Sequence, residues 1–326
     1  MKSYWIKTTD GRTQFELREL PIPQPEAGEI VLKVHAAALN RGEFFVGGVM
    51  HGGANKPGGG EAAGTVHAVG EGVSSLRVGD RIMGRVKSPG GAFSEYVAMR
   101  EDQAMRMPER LDWKHAAAIP VTYLVTYDML YPYGKLKKDE WLLMLSASSG
   151  VGVAVIQMAK YIGARVIGTS GSAHKLEKLK AIGMDYGIET RKGDFAARVN
   201  EITGGHGADL AINSVGGSVF AEAIRALAHK GRLATVGYVD GVFKAELDLN
   251  KLHAHRLEVF GVSNSRLSLE DKAQCVRGFV RDVLPGIADG RIVPVIDRVF
   301  PLERIADAKA HMESDAQVGK IVVRVA

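Results

Sequence analysis

The sequence predicts an α/β protein in which a doubly wound parallel sheet is inserted into a second domain of short strands. In residues 122–263, apolar strand-like runs alternate with helical patterns, as is typical of a parallel sheet covered by helices. Residues 1–121 contain short β-like runs separated by Gly and Pro turns, which indicates a β barrel or partial barrel. Residues 264–326 end in a strand-like run that can return to the sheet of the first domain. We therefore assign both chain ends to one domain.

The first domain is marked by the spacing of its turns. The β-like runs at 30–34 and 64–69 lie among turn signals such as Pro21-Ile-Pro-Gln-Pro25 and Val78-Gly-Asp80. Nine glycines fall in residues 42–64, which favours a loop over a strand. We expect this loop to adapt to a ligand.

The inserted domain shows a strand–helix rhythm. An apolar run at 141–147 predicts a buried parallel strand, and the helical pattern over 153–162 ends at Gly163. The other predicted elements of this domain are strands at 165–170, 209–215, 232–238 and 257–262, and helices at 174–182, 195–202 and 219–228. Further helices are predicted at 271–287 and 302–312, before a final strand at 320–325.

The composition excludes several classes of protein. Hydrophobic residues make up 46% and charged residues 24% of the 326 residues, which is ordinary for a globular chain. The single Cys275 excludes a disulfide framework and a cysteine-rich zinc lobe. The chain has no run of about 18 uninterrupted apolar residues and no signal-like N-terminus. We therefore expect a cytoplasmic protein without a membrane span.

The charge balance favours a small anionic ligand. The 42 basic and 37 acidic residues give a net charge of +5, and the two signs are interspersed along the chain. Nucleic acid is a disfavoured partner, because only 7% of the residues are aromatic and no basic patch is concentrated in one segment.

One glycine motif predicts a dinucleotide site. Ala147-Ser-Ser-Gly-Val-Gly152 follows a buried strand and opens a helix, which is the context that a dinucleotide fingerprint requires. Glycines let the backbone approach a pyrophosphate, and the helix N-terminus offers N–H donors. The alternative is a strand–helix turn with two incidental glycines. The predicted pyrophosphate contacts are Ser149, Gly150, Val151 and Gly152.

The end of the next strand predicts which cofactor binds. A site for NAD usually has an acidic residue about 20 residues after the fingerprint. Here the strand ends in Thr169-Ser-Gly-Ser172 without an acid, Lys175 follows, and Arg191 and Lys192 can add positive charge. Hydroxyls and a lysine suit a 2′-phosphate, which indicates NADPH. The alternative is that the lysines form only a solvated helix face. The predicted phosphate contacts are Ser170, Gly171, Ser172 and Lys175.

The other strand ends are the next candidates, because ligands in such sheets lie at the carboxyl ends of the strands. Small residues at these ends leave room for a ribose and a nicotinamide, although ordinary turns are an equal alternative. The predicted contacts are Val215, Gly237, Tyr238, Val262 and Ser263.

A metal site is not predicted. His253-Ala-His255 is the only close histidine pair among ten histidines, and on a strand it would place both rings on one face. No cysteine accompanies this pair and no carboxylate has ligand spacing, so a surface or packing role is favoured.

In combination, these features resemble the medium-chain dehydrogenase/reductase superfamily, in its zinc-free quinone oxidoreductase branch. The resemblance implies a GroES-like catalytic domain made of both chain ends, a Rossmann domain between them, and a homodimer. The motifs that carry the resemblance lie at 37–43 (AALNRGE), 60–64 (GEAAG), 78–81 (VGDR), 147–152 (ASSGVG), 202–205 (ITGG), 213–217 (NSVGG) and 319–322 (GKIV).

The resemblance also implies site residues. Zinc-dependent members carry a Cys where this chain has Asn40 and a His where it has Gly60, so no zinc is expected. Asn40 matches the asparagine that holds the nicotinamide end of the cofactor. Thr190 stands where the family often has a Tyr beside the adenine ribose phosphate. Thr126, next to the position of a family Thr, and Lys320, in the last motif, complete the expected cofactor contacts.

The implied activity is hydride transfer from NADPH to a small quinone or α,β-unsaturated carbonyl without a metal, with Asn40 and His51 as the catalytic candidates. His51 is the candidate proton donor, because a histidine titrates near neutral pH. It lies where some members have a Tyr lining the substrate cleft, and the alternative is a solvent-exposed loop residue. Two other functions stay open: an enoyl-thioester reductase, acting on enoyl-CoA or an enoyl carrier protein, and a non-enzymatic NADPH- or RNA-binding relative.

Overall fold

The chain divides into two compact units. The computed structural model describes residues 1–9, 12–44, 55–87, 91–264 and 266–326. Unit 1 comprises Met1–Leu124 together with Ser265–Ala326, and unit 2 comprises Val125–Asn264.

The N-terminal part of unit 1 is mainly β-structure. Its central strands, at residues 29–38 and 61–69, are mainly apolar and most of their residues are buried, which explains why they lie inside a sheet. In chain order the elements are β1 (Lys2–Thr9), β2 (Arg12–Glu19), β3 (Glu29–Ala38), β4 (Lys56–Pro57), β5 (Glu61–Val69), β6 (Arg81–Arg85), β7 (Tyr96–Arg100), β8 (Ala104–Arg106), α1 (Trp113–Ala117) and α2 (Pro120–Leu130). Helix α2 contains the division between the units.

Unit 2 alternates strands and helices. In chain order its elements are β9 (Trp141–Met144), α3 (Gly150–Ile162), β10 (Arg165–Ser170), α4 (Ala173–Lys180), β11 (Tyr186–Glu189), α5 (Ala196–Ile202), β12 (Ala208–Asn213), α6 (Phe220–Arg225), β13 (Leu227–Thr235), α7 (Leu249–His255) and β14 (Glu258–Gly261). The strands form one parallel sheet in the order β11-β10-β9-β12-β13-β14. The order reverses between β9 and β12, and ligands of such sheets bind at the carboxyl ends of the strands beside this reversal.

The C-terminal part of the chain completes unit 1. Its elements are α8 (Leu269–Asp282), α9 (Leu284–Ala288), β15 (Ile296–Pro301), α10 (Ile305–Glu313) and β16 (Lys320–Arg324). Strand β16 pairs antiparallel with β3, so the chain end returns to the first sheet, as the sequence predicts. That sheet has the order β15-β16-β3-β5-β6-β8, with β7 paired to β3, and a smaller sheet has the order β2-β1-β4. The mixed α/β fold is thus confirmed.

Several predicted boundaries are wrong. The predicted strand 232–238 ends at Thr235, and the predicted helix 219–228 ends at Arg225, because Leu227 already begins β13. The predicted helix 271–287 is two helices, since Pro285, in the first turn of α9, has no N–H to continue α8. His253 and His255 lie on α7, not on a strand, and helix residues two apart do not share a face.

The described ranges contain ten α-helices. None of them is both long and apolar enough to cross a membrane.

Candidate active site

The fingerprint residues form the N-terminus of α3. Ser149 caps the helix, and its hydroxyl accepts the Gly152 N–H at 3.0 Å. The N–H groups of Gly150 and Val151 lie in the first turn, where no intrahelical acceptor precedes them. These backbone donors and the positive end of the helix dipole suit a phosphate group.

Gly152 is required by a close approach between this helix and the strand end. A Cβ at residue 152 would lie 2.3 Å from the carbonyl oxygen of Ala147 and 2.8 Å from its Cα. Ala147 is itself fixed, because its N–H donates to Thr169 O on the neighbouring strand at 2.9 Å. The first turn of α3 is therefore packed directly against the end of the β9 segment.

A cationic side chain covers the end of β10. A Cβ at Gly171 would lie 3.0 Å from Cγ and 3.4 Å from Cζ of Arg191, so the arginine extends over this glycine. In the ranges that the structure describes, Arg191 has no ion-pair partner. Ser170 is buried at the strand end, while Ser172 precedes α4 and Lys175 lies in its first turn. This grouping leaves positive charge and hydroxyls at one strand end.

Thr190 is engaged by its own turn. Its hydroxyl donates to Asp194 Oδ1 at 2.6 Å and accepts the N–H groups of Lys192 and Gly193, each at 3.2 Å. The hydroxyl thus stabilises the loop that presents Arg191. Its predicted contact with the cofactor stays a prediction.

The end of β12 is a rigid turn. Asn213 is fully buried and accepts the N–H groups of Val215 and Gly216 at 2.9 and 3.0 Å, while its amide donates to Gly216 O. Gly237 lies close to Ser214, because a Cβ there would be 3.1 Å from Ser214 O. The small residues predicted at this edge therefore let two strand ends approach each other.

The remaining predicted residues of unit 2 are spread more widely. Thr126 is fully buried on α2, Val262 is buried after β14, and Ser263 is exposed. Tyr238 packs against Phe243 and lines a cavity of about 330 Å³ that does not include the α3 N-terminus. The hydrogen-bond donors and cations described above lie instead at the N-terminus of α3 and at the end of β10.

In unit 1, the partly buried Asn40 and Glu43 join the fully buried Glu61 and Lys320 in one polar group, the buried polar group. Lys320 Nζ donates to Leu39 O at 3.0 Å, to Asn40 Oδ1 at 2.8 Å and to Glu61 Oε1 at 2.8 Å. The other Glu61 oxygen accepts the Val121 N–H at 2.6 Å. Glu61 is 0% and Lys320 is 3% exposed, so this is a buried ion pair whose polar atoms are satisfied. The predicted cofactor contact of Lys320 stays a prediction.

Glu43 is the remaining member of this buried polar group. Its Oε1 accepts Asn40 Nδ2 and the Gly60 N–H, both at 3.1 Å. Burial raises the pKa of the Glu43 carboxyl from 4.5 to about 7, and the charge of Glu61 acts in the same direction. The hydrogen bonds and the Lys320 charge oppose this change.

The same residues do not fit a zinc ion. The positions that carry Cys and His in zinc-dependent relatives hold an amide, Asn40, and a glycine, Gly60, which has no side chain to offer. A Cβ at Gly60 would lie 3.2 Å from Glu43 Oε1, and the Lys320 ammonium occupies the neighbourhood of Glu61. Across the described ranges, no group of three or more His, Cys, Asp or Glu side chains could hold a metal.

Comparison with known proteins identifies the superfamily to which this chain belongs. Residues 26–109 match the family described as alcohol dehydrogenase GroES-like domain, and residues 150–278 match the one described as zinc-binding dehydrogenase. Human quinone oxidoreductase is 26% identical over 311 residues, which cover 94% of this chain and 92% of that protein. The chain belongs to the medium-chain dehydrogenase/reductase superfamily.

Solved structures of this superfamily cover the whole chain. An NAD-dependent alcohol dehydrogenase is 29% identical with a TM-score of 0.87, and the match covers 100% of both chains. The Escherichia coli quinone oxidoreductase complexed with NADPH is 26% identical with a TM-score of 0.85, also over 100% of both chains. The GroES-like and Rossmann-like domains expected from the sequence are thereby confirmed.

A longer relative is somewhat more similar in sequence. A phenolphthiocerol/phthiocerol polyketide synthase of Mycobacterium tuberculosis is 32% identical over 312 residues, which cover 95% of this chain. The chain spans only 14% of the length of that protein.

Sequence features predict Asn40 and Lys320 as site residues but do not single out Glu43 or Glu61, which the structure places in the same polar group. Both acids stand in the motifs at 37–43 and 60–64 that carry the resemblance. A signal was present, since Glu43 follows Asn40 by three residues and Glu61 is next to Gly60. The candidate proton donor His51 lies outside the described residues.

The raised pKa of Glu43 predicts a pH-dependent stability. Below pH 4.5 this carboxyl is protonated in both the folded and the unfolded chain. Between pH 4.5 and about 7 only the folded chain keeps the proton, so the free energy of unfolding falls as the pH rises, by on the order of 3 kcal/mol at most. We expect Glu43→Gln to remove this part of the slope in urea unfolding at pH 5 and pH 8. An unchanged slope would contradict the prediction.

Proposed function

We propose that this protein is an NADPH-dependent oxidoreductase that reduces quinones or α,β-unsaturated carbonyls by hydride transfer without a metal. The observation that carries the proposal is the α3 N-terminus, where Gly152 packs on Ala147 beside the reversal of the strand order. Its backbone donors suit the pyrophosphate of a dinucleotide. The similarity to quinone oxidoreductases, one of them solved with NADPH, supports the same function.

The preference for NADPH over NADH rests on the end of β10. The segment from Ser170 to Ser172 carries hydroxyls and no acid, and Arg191 and Lys175 supply positive charge. A 2′-phosphate needs donors and cations, whereas a 2′-hydroxyl is usually bound by a carboxylate. We assign Ser170, Gly171, Ser172, Lys175 and Arg191 to the phosphate.

The choice of acceptor follows from the buried polar group in unit 1. The bound cofactor supplies the hydride. Asn40 and Gly60 provide no metal ligand, so the protein can lower the barrier only by orientation and by hydrogen bonds to the developing oxyanion. Electron-poor acceptors, such as quinones and conjugated carbonyls, need the least stabilisation of the developing oxyanion. Oxidation of a simple alcohol needs a stabilised alkoxide, which this residue set does not offer.

His51 remains the proposed proton donor. Histidine is the side chain whose ordinary pKa lies nearest neutrality, which suits proton transfer to a reduced acceptor. Replacement of His51 by Ala is expected to lower turnover and to alter its pH profile. If both are unchanged, another group delivers the proton.

The proposal also includes an oligomeric state and a second candidate function. A homodimer is supported by β14, one of the two outer strands of the sheet as described, which has Val259 exposed. An enoyl-thioester reductase is the second candidate function, favoured by the 32% identity with a polyketide synthase.

An activity panel separates these functions. NADPH consumption is measured with an ortho-quinone, a trans-2-enal and an enoyl-CoA under the same conditions. Turnover of the quinone or the enal well above that of the thioester supports the proposal, and the reverse order supports the second candidate. No turnover with any acceptor, together with tight salt-sensitive RNA binding, would overturn the enzymatic function.

The position of Arg191 predicts a change in cofactor selectivity. We expect Arg191→Ala to raise the KM for NADPH about tenfold, because a charge-assisted contact with the 2′-phosphate is lost. The KM for NADH, which lacks this phosphate, should change little. Arg198→Ala is a matched control, since Arg198 is exposed and pairs with Glu201. Equal changes for both cofactors would show that Arg191 does not contact the phosphate.

A further inference from the structure

The amide of Asn40 is held in one orientation by its neighbours. Lys320 Nζ can only donate, so the Asn40 atom 2.8 Å from it is the acceptor Oδ1. Asn40 Nδ2 directs its two hydrogens to Glu61 Oε1, at 2.8 Å, and to Glu43 Oε1, at 3.1 Å. Both amide hydrogens are used within the protein. Asn40 can therefore offer a ligand only the remaining acceptor capacity of Oδ1.

Glu43 differs from Glu61 in forming no direct ion pair with a described Lys or Arg side chain. Glu61 takes the Lys320 ammonium, whereas Glu43 Oε1 accepts only from Asn40 and from the Gly60 N–H within the described ranges. Glu43 Oε2 is buried and has no hydrogen-bond partner in the same part of the chain. A buried carboxylate in this environment is costly, so the protonated form is favoured.

Titratable side chains from three other elements act on Glu43. They are Glu61 on β5, Lys320 on β16 and Lys56 on β4. Glu61 disfavours the ionised form, and the two lysines favour it. Burial has the largest effect and raises the pKa of Glu43 to about 7. The charge beside Asn40 therefore changes near neutral pH.

We propose that Glu43 is a positioning residue that couples the charge of a ligand held at Asn40 to the binding of one proton. This inference rests on the proposed function and on the role that the resemblance implies for Asn40, which is to hold the nicotinamide end of the cofactor. The reduced nicotinamide ring is uncharged, and the oxidised ring is positive. Ionised Glu43 attracts the oxidised ring, and a proton on Glu43 removes this attraction. NADP⁺ therefore gains affinity as the pH rises through neutrality, and NADPH does not.

The test compares the dissociation constants of NADPH and NADP⁺ for the full chain at pH 6 and pH 8.5. The 2′-phosphate titrates in both forms of the cofactor, so the ratio of the two constants cancels its contribution. In the wild type, Kd for NADPH divided by Kd for NADP⁺ is expected to rise at least about fivefold between these pH values. In Glu43→Gln, which resembles the protonated carboxyl, the ratio is expected to stay nearly constant.

Two variants complete the experiment. Glu313→Gln is the matched control, because Glu313 is exposed and pairs with Lys309, and it should behave as the wild type. Glu43→Asp keeps a carboxyl and should restore a pH-dependent ratio with a shifted midpoint, which tests the inference even if Glu43→Gln does not fold. Equal pH dependence in wild type and Glu43→Gln, or identical curves for wild type and Glu43→Asp, would overturn the inference. If neither nucleotide binds the wild type, the proposed function fails as well.

Discussion

Gly152→Ala is expected to raise the Kd for NADPH by about 100-fold, which corresponds to ~2.7 kcal/mol. The added Cβ would lie 2.3 Å from Ala147 O, and the atoms it meets are backbone atoms that cannot rotate away. The first turn of α3 must therefore move from the strand end, and its N–H donors move with it. The measurement is a titration of NADPH fluorescence, at a temperature where circular dichroism shows a folded protein.

A second glycine serves as the control for this variant. A Cβ added to Gly261, at the end of β14, would meet no described atom within 4 Å. Gly261→Ala should therefore fold, and its Kd for NADPH should be closer to the wild-type value than that of Gly152→Ala. An affinity of Gly152→Ala within about threefold of the wild type would contradict the proposed phosphate site.

Lys320→Met is expected to lower the free energy of unfolding by about 3–5 kcal/mol. The substitution removes the ammonium that contacts Glu61, which is 0% exposed, and leaves a buried carboxylate without this counter-charge. Urea unfolding at neutral pH measures the loss. The double variant Glu61→Gln/Lys320→Met should recover part of it, because the buried charge is then absent.

Lys180→Met provides the comparison for Lys320→Met. Lys180 forms an exposed ion pair with Glu177, and such pairs contribute less than about 1 kcal/mol. If Lys320→Met costs no more than Lys180→Met, the buried ion pair does not stabilise unit 1.

The sequence predicted the turn before α3 and both ends of that helix well, because their signals are local. Ser149, the glycines at 150 and 152, and the stop at Gly163 all act within one helix, and the structure places each at an end of α3. Gly163 has a φ of 95°, a left-handed conformation that glycine adopts without strain. The boundaries that failed, such as the end of β13 at Thr235, depend on which neighbouring strand supplies hydrogen bonds.

The buried polar group in unit 1 could not be predicted in the same way. Lys320 lies 280 residues from Asn40 along the chain, and no local pattern joins them. The role of Thr190 was also hidden, because its hydroxyl is satisfied by a turn that only the folded loop creates. The sequence indicated only that Arg191 can add positive charge, and the structure was needed to show that its side chain lies over Gly171.

The sequence by itself determined the alternation of strands and helices, the glycines in the turn before α3 and the absence of cysteine ligands, since each depends on residue type and short spacing. Only the tertiary structure decided where the buried charges meet. The pairing of β16 with β3, in which Val322 lies opposite Ala38, brings Lys320 to Asn40 and Glu61. Within the described ranges Glu43 then has no cation in hydrogen-bond contact, because the Lys320 ammonium directs its hydrogen bonds to Leu39, Asn40 and Glu61.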